Sequence, residues 1–590
     1  MTRELPAGPY LVLGCARAGF SAARALRERC PDAQISVWDA HGGPANRRRA
    51  ERLEQLGVEV RFGPWRPGLL AARHPAAVIK SPGLPADAAP VRQARAHRLP
   101  VFDELELGRR LTDRRLVAVT GTDGKSTVSA LIAAALGGDG PVPVAGNTEF
   151  GPPLSGIAAA GGTVVVEASS YQLEFTGGPL SELAVLTNLT VDHLHRHGTM
   201  AVYGAVKRRL FVNGTTVVPQ AVINVDGDFG AGLAGELRAA GAAVATFGAG
   251  PGAAYRVLDA RWDAVAGQVR LATPIGELRL QTRLPGRHNA ENVAAALAAC
   301  DLLALPRERT IAVLESMPGV PGRWERIDRG QPYEVVVDFA HTLAGIRQAL
   351  VTARHVTEAR GGRVHLVLGA AGNNNDSKRP PLMAILGELA DRVILTEGNG
   401  RGESLDAVVA DLMTGWPARR PVPPLVPDRR LAIRRALSEA GTGDLVMIIG
   451  RGVMPRLLSH SSGDGRRFDD REVAGQELAR LDGDAARSEA VFEHEAIATG
   501  PQIVLDLIED LEAEVAVQPA DDVMVGAGGG PNALSAPGAQ PGQHLLGQGP
   551  GQPVPAMLSV HPEGQHPPGR AARGQAAEEV TAGDPAVLGE

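Results

Sequence analysis

Residues 116–127 read LVAVTGTDGKST. The β-branched run from Leu116 to Thr120 has the pattern of a buried parallel strand. It ends in a Gly-rich turn carrying Lys125, Ser126 and Thr127, and the Ala/Leu-rich segment Val128 to Leu136 predicts a helix after it. Strand, glycine turn, Lys-Ser/Thr and helix together make a phosphate cradle. Backbone N–H groups of Gly121, Thr122, Asp123 and Gly124 and the helix N-terminus face the anion, Lys125 adds a full charge, and a hydroxyl such as that of Ser126 can ligand Mg²⁺. The common loop of this kind has four residues between its first glycine and the Gly-Lys pair. Here Gly121 and Gly124 are only three apart, which narrows the set to a smaller class of ATP users. The competing reading is an ordinary strand-to-helix turn.

The chain upstream begins another α/β unit. Residues 10–14 (YLVLG) predict a strand, Gly14-Cys15-Ala16-Arg17-Ala18-Gly19 a tight turn, Ser21 to Arg29 a helix, and ISVWD a second strand ending at Asp39. This is a dinucleotide-type βαβ start with Ala16 in place of the middle glycine. Asp39 lies 25 positions after Gly14, where it can meet a ribose or a base. Many doubly wound domains start so, and the signal alone is weak. Further on, AAVIKSPGLP (76–85) predicts a strand running into the loop Ser81-Pro82-Gly83, at the strand end where α/β sheets bind ligands.

Downstream, strands are expected at 163–169 and 182–188, then at 333–341, 363–372, 392–400 and 444–452, separated by Ala/Leu-rich helices. The expected fold is therefore α/β, with three consecutive α/β domains: a Rossmann-like N-terminal domain (1–112), a central P-loop ATPase domain (113–317) and a Rossmann-like C-terminal domain (318–485). Residues 486–590 form a tail with one plausible acidic helix (502–516) and then a Gly/Pro/Gln/Ala-rich stretch. That composition cannot bury enough surface to offset chain entropy, so the tail is expected to be largely disordered.

The 590 residues are 44% hydrophobic, enough for several cores, and the formal net charge of −6 carries no nucleic-acid footprint. An anionic substrate must therefore be held by local Lys, Arg and backbone N–H groups. The three cysteines, Cys15, Cys30 and Cys300, make neither a metal spacing nor a disulfide framework. The opening MTRELPAGPY carries no charged-then-apolar leader, and no run of about 18 apolar residues occurs. These features predict a cytoplasmic protein without membrane insertion, and a monomer is expected.

Glu167 ends the strand VVVE in the same domain as the phosphate loop, a position that suits a direct or indirect Mg²⁺ ligand; the alternative is a helix cap or a surface acid. The segment LTNLTVDHLHRHG (186–198) holds His193, His195 and His197. His-x-His-x-His without cysteine, beside a phosphate loop, favours one neutral imidazole on an oxygen-preferring Mg²⁺ over a zinc centre. Lys207 stands in YGAVKRRLF, where an Arg/Lys helix face is usually just solvated. Asn289 and Asn292 stand three apart at a helix start, as nucleotide-reading amides or as caps.

In chain order, TGTDGKST, VVEASSYQLE, LTNLTVDHLHRHGTM, YGAVKRRLF, PGRHNAEN, PGRWERID, VVVDFAHT and FDDRE resemble the Mur ligase family over roughly residues 8–482. Those are ATP-dependent, amide-forming ligases that extend the UDP-N-acetylmuramoyl peptide of peptidoglycan. The resemblance implies that Lys125 and Ser126 hold ATP phosphates and Mg²⁺. Glu167 and His193 help bind metal, and Lys207 matches a carbamylated lysine that ligands a second Mg²⁺. Asn289 and Asn292 lie near the nucleotide, and Arg323 and Asp338 complete the ATP site from the third domain. The substrate set it implies is Gly14, Ala16, Arg17, Gly19, Asp39, Ser81, Pro82, Gly83, Asn147, Ser169, His341, Lys378, Asn399 and Arg401.

Within the family the domains resemble different members. VLGCARAGFSAARAL, SPGLP, VFDELEL and SSYQLE look like the D-glutamate-adding ligase, whereas DFAHT, the DSKRP segment, GNGR and FDDRE look like the ligase that adds diaminopimelate or lysine to the next intermediate. The latter type carries DNPR and GKGHE. Here the aspartate of the first has become Gly398 and the glutamate of the second Met454, which cannot pair an ammonium. The resemblance thus implies UDP-N-acetylmuramoyl-L-alanine as acceptor and, most simply, D-glutamate as the incoming amino acid. The alternatives are addition of diaminopimelate, lysine or another amino acid to the UDP-linked dipeptide, a side-branch paralogue, or a non-catalytic ATP-binding scaffold.

Overall fold

A computed structural model describes residues 4–148, 151–158, 161–179, 181–372, 376–460 and 465–482. The expected tail, with its acidic helix, lies outside the described residues. Three large sheets follow one another along the chain, as the α/β reading requires. In the first domain five parallel strands (Tyr10–Leu13, Ile35–Asp39, Glu59–Phe62, Ala77–Lys80, Val101–Asp103) run across the sheet in the order third, second, first, fourth, fifth. The order in which strands are added reverses between the parallel first and fourth strands, so the turns after Leu13 and Lys80 open side by side. That switch point is where a doubly wound sheet presents its ligand crevice.

The central sheet has nine strands. The phosphate-loop strand Arg115–Thr120 lies between Thr163–Glu167 and Leu183–Leu186, parallel to both. The strand ends bearing Thr120, Glu167 and Leu186 therefore stand together at one edge. Leu183–Leu186 is buried on every residue, because helices cover both faces of a parallel sheet. The sequence reading foresaw three of these nine strands; of the six it missed, Tyr255–Trp262, Gly267–Thr273 and Gly276–Thr282 pair antiparallel with one another at the far side of this sheet. Their signal is present: Gly267–Thr273 buries residues 267, 269 and 271 alternately, and Gly276 turns the hairpin with φ 122°. The link between the first two of these strands carries Ala264 into the core of the third domain, in one cluster with Ile346 and Leu350, and the Trp262 ring lies tilted against His355, centroids 4.8 Å apart.

In the third domain the parallel strands Glu334–Asp338, Leu445–Ile449, Val364–Ala370 and Arg392–Glu397 lie in that spatial order, with the short antiparallel Glu325–Arg326 at the edge. Leu445–Ile449 is central and fully buried. Among the described residues no helix is long and apolar enough to cross a membrane.

Candidate active site

The helix Lys125–Leu136 begins directly at the loop lysine, with Gly124 as its N-terminal flank in a left-handed conformation (φ 82°). A side chain at Gly124 would meet Asn292 Oδ1 at 2.5 Å, and one at Gly121 (φ 150°) would collide with Thr187. Both glycines are thus required by close approach, as a phosphate-wrapping backbone demands. The loop is braced from the neighbouring strand end. Asn188 Oδ1 accepts from the N–H groups of Thr122 (3.2 Å) and Asp123 (2.9 Å), while Thr187 Oγ1 and Asn188 Nδ2 donate to the carbonyl of Asp123 at 2.6 and 3.1 Å. Lys125 Nζ folds back to donate to the Thr122 carbonyl (2.7 Å).

Lys207, on the helix Met200–Arg208, is fully buried and donates to the carbonyl of Gly121 at 2.5 Å, over the ring of Tyr203. Burial and the neighbouring Lys125 lower its pKa far below that of an ordinary lysine, against the pull of Asp192, Asp123 and Glu167. A lysine on a solvated face would show none of this. Glu167 is 2% exposed, which excludes a surface acid, and it accepts from Asn147 Nδ2 at 3.4 Å.

The three histidines part company. His193 takes a left-handed backbone conformation (φ 52°), a strained choice for a non-glycine residue. Its Nδ1 lies 3.1 Å from the Tyr171 hydroxyl, and desolvation, together with His341, Lys125 and Lys378, pulls its pKa down to about 3 despite Asp192. His193 is therefore a neutral imidazole at physiological pH, the form that ligates metal. His195 Nε2 shares the same hydroxyl (3.1 Å), and His197 turns to Ser170 Oγ (3.0 Å) and stacks on Tyr203. Among the described residues no three His, Cys, Asp or Glu side chains form a ready metal cluster. A cation held here would need oxygen ligands from phosphate and hydroxyl as well as from side chains, the preference of Mg²⁺.

Three side chains of the third domain reach this site. Arg323 donates to Ser126 Oγ (3.1 Å), Thr342 Oγ1 donates to Asp123 Oδ1 (2.9 Å), and Lys378 pairs with Asp192. Asp192 is 2% exposed. Its burial is outweighed by His193 and Lys378, which lower its pKa to about 2. Asp338 serves its own turn, accepting from the N–H groups of Trp324 and Ala340 at 2.7 Å each. His341 Nδ1 faces the Phe339 carbonyl at 3.1 Å. Asn292 donates to Asn289 Oδ1 (3.0 Å) and Asn289 to the Pro285 carbonyl (2.8 Å), so this pair backs the phosphate loop.

Other expected residues lie in separate places. Asp39 accepts from the N–H groups of Cys15 (2.7 Å) and His41 (2.8 Å) and from Asn46, so its carboxylate holds the Gly14–Gly19 turn. In that turn Ser81 Oγ would meet a side chain at Gly14 at 2.5 Å and one at Gly19 at 3.0 Å, and Ala16 caps the helix Arg17–Arg29. Arg17 donates to the Thr148 carbonyl (3.3 Å), and Ser169 donates twice to Gln172 Oε1 (3.1 Å each). Asn399 accepts from Arg451 (2.8 Å) and lies against Met454 Sδ (3.6 Å). Arg401, left-handed at φ 47°, stands within electrostatic reach of Tyr171. Sequence reasoning passed over Asp192, Thr187, Asn188, Tyr171 and Thr342. Asp192, an acid directly before His193 and just past a strand end, was the readable signal among them.

Two family models match the chain: "Mur ligase middle domain" over residues 119–300 and "Mur ligase, glutamate ligase domain" over 322–452. A UDP-N-acetylmuramoyl-L-alanyl-D-glutamate–2,6-diaminopimelate ligase from Alkalilimnicola ehrlichii is 33% identical over 424 residues, 65% of this chain and 83% of the relative. The Neisseria meningitidis serogroup A protein of the same name is 37% identical over 327 residues, 54% of this chain; the chain spans 64% of that relative's length. Among solved structures, a UDP-N-acetylmuramate-alanine ligase from Thermotoga maritima aligns over 81% of this chain and 99% of its own, with TM-score 0.51 and 20% identity, a likeness of fold.

Proposed function

The chain belongs to the Mur ligase family, and from that premise we propose that it is an ATP-dependent ligase joining an amino acid to the terminal carboxylate of a UDP-N-acetylmuramoyl peptide. The observation that carries this reading is the convergence on one phosphate loop of Lys125, buried Lys207 and, from another domain, Arg323 on Ser126.

ATP transfers its γ-phosphoryl group to the acceptor carboxylate, and the acyl phosphate is then attacked by the donor's amine, releasing phosphate. Two anions must approach one another, so cations decide the barrier. Lys125 and Arg323 supply fixed positive charge on the two sides of the loop. Mg²⁺, held by Ser126, Glu167, His193 and a carbamylated Lys207, would neutralise the phosphates, with two ions fitting this ligand set. The residues suit that role. His193 is neutral, Glu167 is buried at a strand end, and burial lowers the Lys207 pKa toward the unprotonated amine that combines with CO₂. The contacts of Thr342 and Lys378 close the third domain over the loop and exclude water from the reactive acyl phosphate. A reaction drawing on ATP and a UDP-linked precursor belongs in the cytoplasm.

The relatives' names support addition of the third residue to UDP-N-acetylmuramoyl-L-alanyl-D-glutamate. A second reading, D-glutamate onto UDP-N-acetylmuramoyl-L-alanine, rests on SPGLP, VFDELEL and SSYQLE. On either reading Met454 offers a thioether beside Asn399, not a carboxylate for a donor's distal ammonium. The donors to test therefore include amino acids without a second amine. The test is a donor screen with each acceptor, reading ADP release and the mass of the UDP-linked product. A tripeptide product supports the first reading and a dipeptide product the second. Lys125→Ala is expected to abolish turnover, and near-normal activity in that variant, or no product with any pair, overturns the ligase reading.

A further inference from the structure

The seam between the first and central domains holds four charged side chains that the reaction itself does not use. Lys80, fully buried at the end of Ala77–Lys80, pairs with Asp103 (3.0 Å) and Glu174 (3.2 Å). Glu174 in turn takes a bidentate pair from Arg196, 2.8 Å at each oxygen. The rest of the Arg196 fork is spent on three consecutive carbonyls of the first domain: Pro82 (3.3 Å), Gly83 (3.3 Å) and Leu84 (2.7 Å). Its guanidinium also covers the Tyr171 ring at 4.9 Å, the ring whose hydroxyl meets His193.

Arg196 sits in the helical turn Leu194–His197, three residues from His193, yet it grips the loop that follows Lys80 at the crevice of the first sheet. Lys80 Nζ holds the two ends of this loop, donating to the carbonyls of Ser81 (3.3 Å) and Leu84 (3.0 Å), while Arg196 reaches it from the central domain. A rigid five-donor fork bound to three of the loop's carbonyls, and anchored by a buried carboxylate, sets the loop's height above the sheet in register with the histidine segment. Lysine, a point charge, cannot reproduce this geometry.

We propose that Arg196, anchored by Glu174, is a positioning residue that registers the Ser81–Leu84 acceptor loop against the phosphate site, so that the acceptor's carboxylate meets the γ-phosphate. The proposal rests on the ligase reading above. An acceptor held by a misplaced loop binds more weakly and is delivered off line, and both faults cost rate.

The test compares wild type with Arg196→Met, Arg196→Lys and Glu174→Gln in the full chain. It uses steady-state kinetics with the acceptor and donor that the screen selects, and calorimetric titration of acceptor and of ATP separately. Arg196→Met is expected to raise the acceptor KM and Kd about tenfold or more and to lower kcat by a similar factor, with ATP affinity within about twofold of wild type. Arg196→Lys should recover less than half of the loss on a logarithmic scale, and Glu174→Gln should fall between the two. Acceptor Kd and kcat unchanged in all three variants overturn the proposal while leaving the ligase reading intact. A parallel loss of ATP affinity, or full rescue by lysine, also overturns it, because either marks a general structural role. Absence of turnover in wild type with every acceptor and donor removes the ligase reading and this one together.

Discussion

The two seams of the central domain are built on different principles. Toward the first domain, the contacts are buried and ionic. Lys80, Asp103 and Glu104 are 0% exposed, Glu104 accepts from the Ser155 N–H at 2.8 Å, and Ser21 and Ser155 share a hydrogen bond of 2.8 Å. Toward the third domain, single side chains reach the phosphate loop and the segment beside it: Arg323 on Ser126, Thr342 on Asp123 and Lys378 on Asp192. The apolar anchor there is the hairpin link at Ala264. Buried charges leave no tolerance for separation, because each partner becomes an uncompensated charge when the other departs. Contacts that end on phosphate-binding groups can be exchanged for the ligand those groups bind. The second seam also holds a buried carboxylate, Asp192 paired with Lys378, but its contacts meet at the phosphate loop, so the first seam is expected to stay fixed while the second opens and closes.

The largest effect separating them comes from Lys80→Met. It takes the ammonium from buried Asp103, while Glu174 keeps its pair with Arg196, and should cost about 3–5 kcal/mol of unfolding free energy, read by urea denaturation. A cost below about 1 kcal/mol, the range of exposed pairs, would mean that the first seam is no more committed than the second. Arg323→Ala probes the other side. It should lower kcat by about 10²–10³, in the range of about 2.7–4 kcal/mol seen when a fixed transition-state donor is removed, while unfolding free energy changes by no more than about 1 kcal/mol. A large stability loss with little change in kcat would invert the comparison.

Acid should act on the two seams in opposite directions. Burial raises Asp103 from 3.8 to about 6, in spite of Lys80 and the Phe175 N–H. Its carboxyl stays protonated in the folded chain after the unfolded chain has released its proton. Stability is thus lost as pH rises from about 4 to 6 and is level above, and the size of the shift corresponds to about 3 kcal/mol. Asp192 is lowered to about 2, so its contribution is present above pH 4 and is lost as pH falls toward 2. The unfolding free energy of wild type relative to Asp103→Asn should therefore fall by about 3 kcal/mol between pH 4 and 6.5. A flat difference would show that Lys80 keeps Asp103 ionised throughout.

The same contrast explains what was readable beforehand. The strands were legible because their signal is local: Leu183–Leu186 and Leu445–Ile449 are apolar runs that can only be buried on both faces. The phosphate loop was legible because Gly121, Gly124 and Lys125 lie within five residues. Lys207 entered only through resemblance, since its burial against Gly121, 86 positions away, depends on tertiary packing. The seam residues were invisible for the same reason. Lys80, Asp103, Glu174 and Arg196 are scattered over more than a hundred positions, each inside a segment whose pattern serves another purpose. Lys80 still broke a rule in plain view, as a charged residue closing an apolar strand. Asp39 shows the converse. Its spacing from Gly14 was legible, whereas the hydrogen bonds it accepts from the Cys15 and His41 N–H groups show only in the fold.

The smallest effect expected at the second seam is that of Thr342. Its hydroxyl donates to Asp123 Oδ1 and accepts from the Gly345 N–H at 2.9 Å, capping the helix Leu343–Glu358. Thr342→Val keeps the shape and removes both bonds. Loss of the cap should cost about 1 kcal/mol of stability. Loss of the Asp123 bond removes one neutral-to-charged contact across the seam, but the loop keeps its form, because Thr187 and Asn188 hold the Asp123 backbone from within the central domain. ATP affinity of the free enzyme should therefore change by less than about twofold, while kcat falls by roughly three- to tenfold through weaker closure, about 0.6–1.4 kcal/mol. Thr342→Ser, which retains donor and acceptor, should restore both. If Val instead weakens ATP binding as strongly as it slows turnover, Thr342 is shaping the phosphate loop itself, and the second seam is part of the resting site as well as its closure.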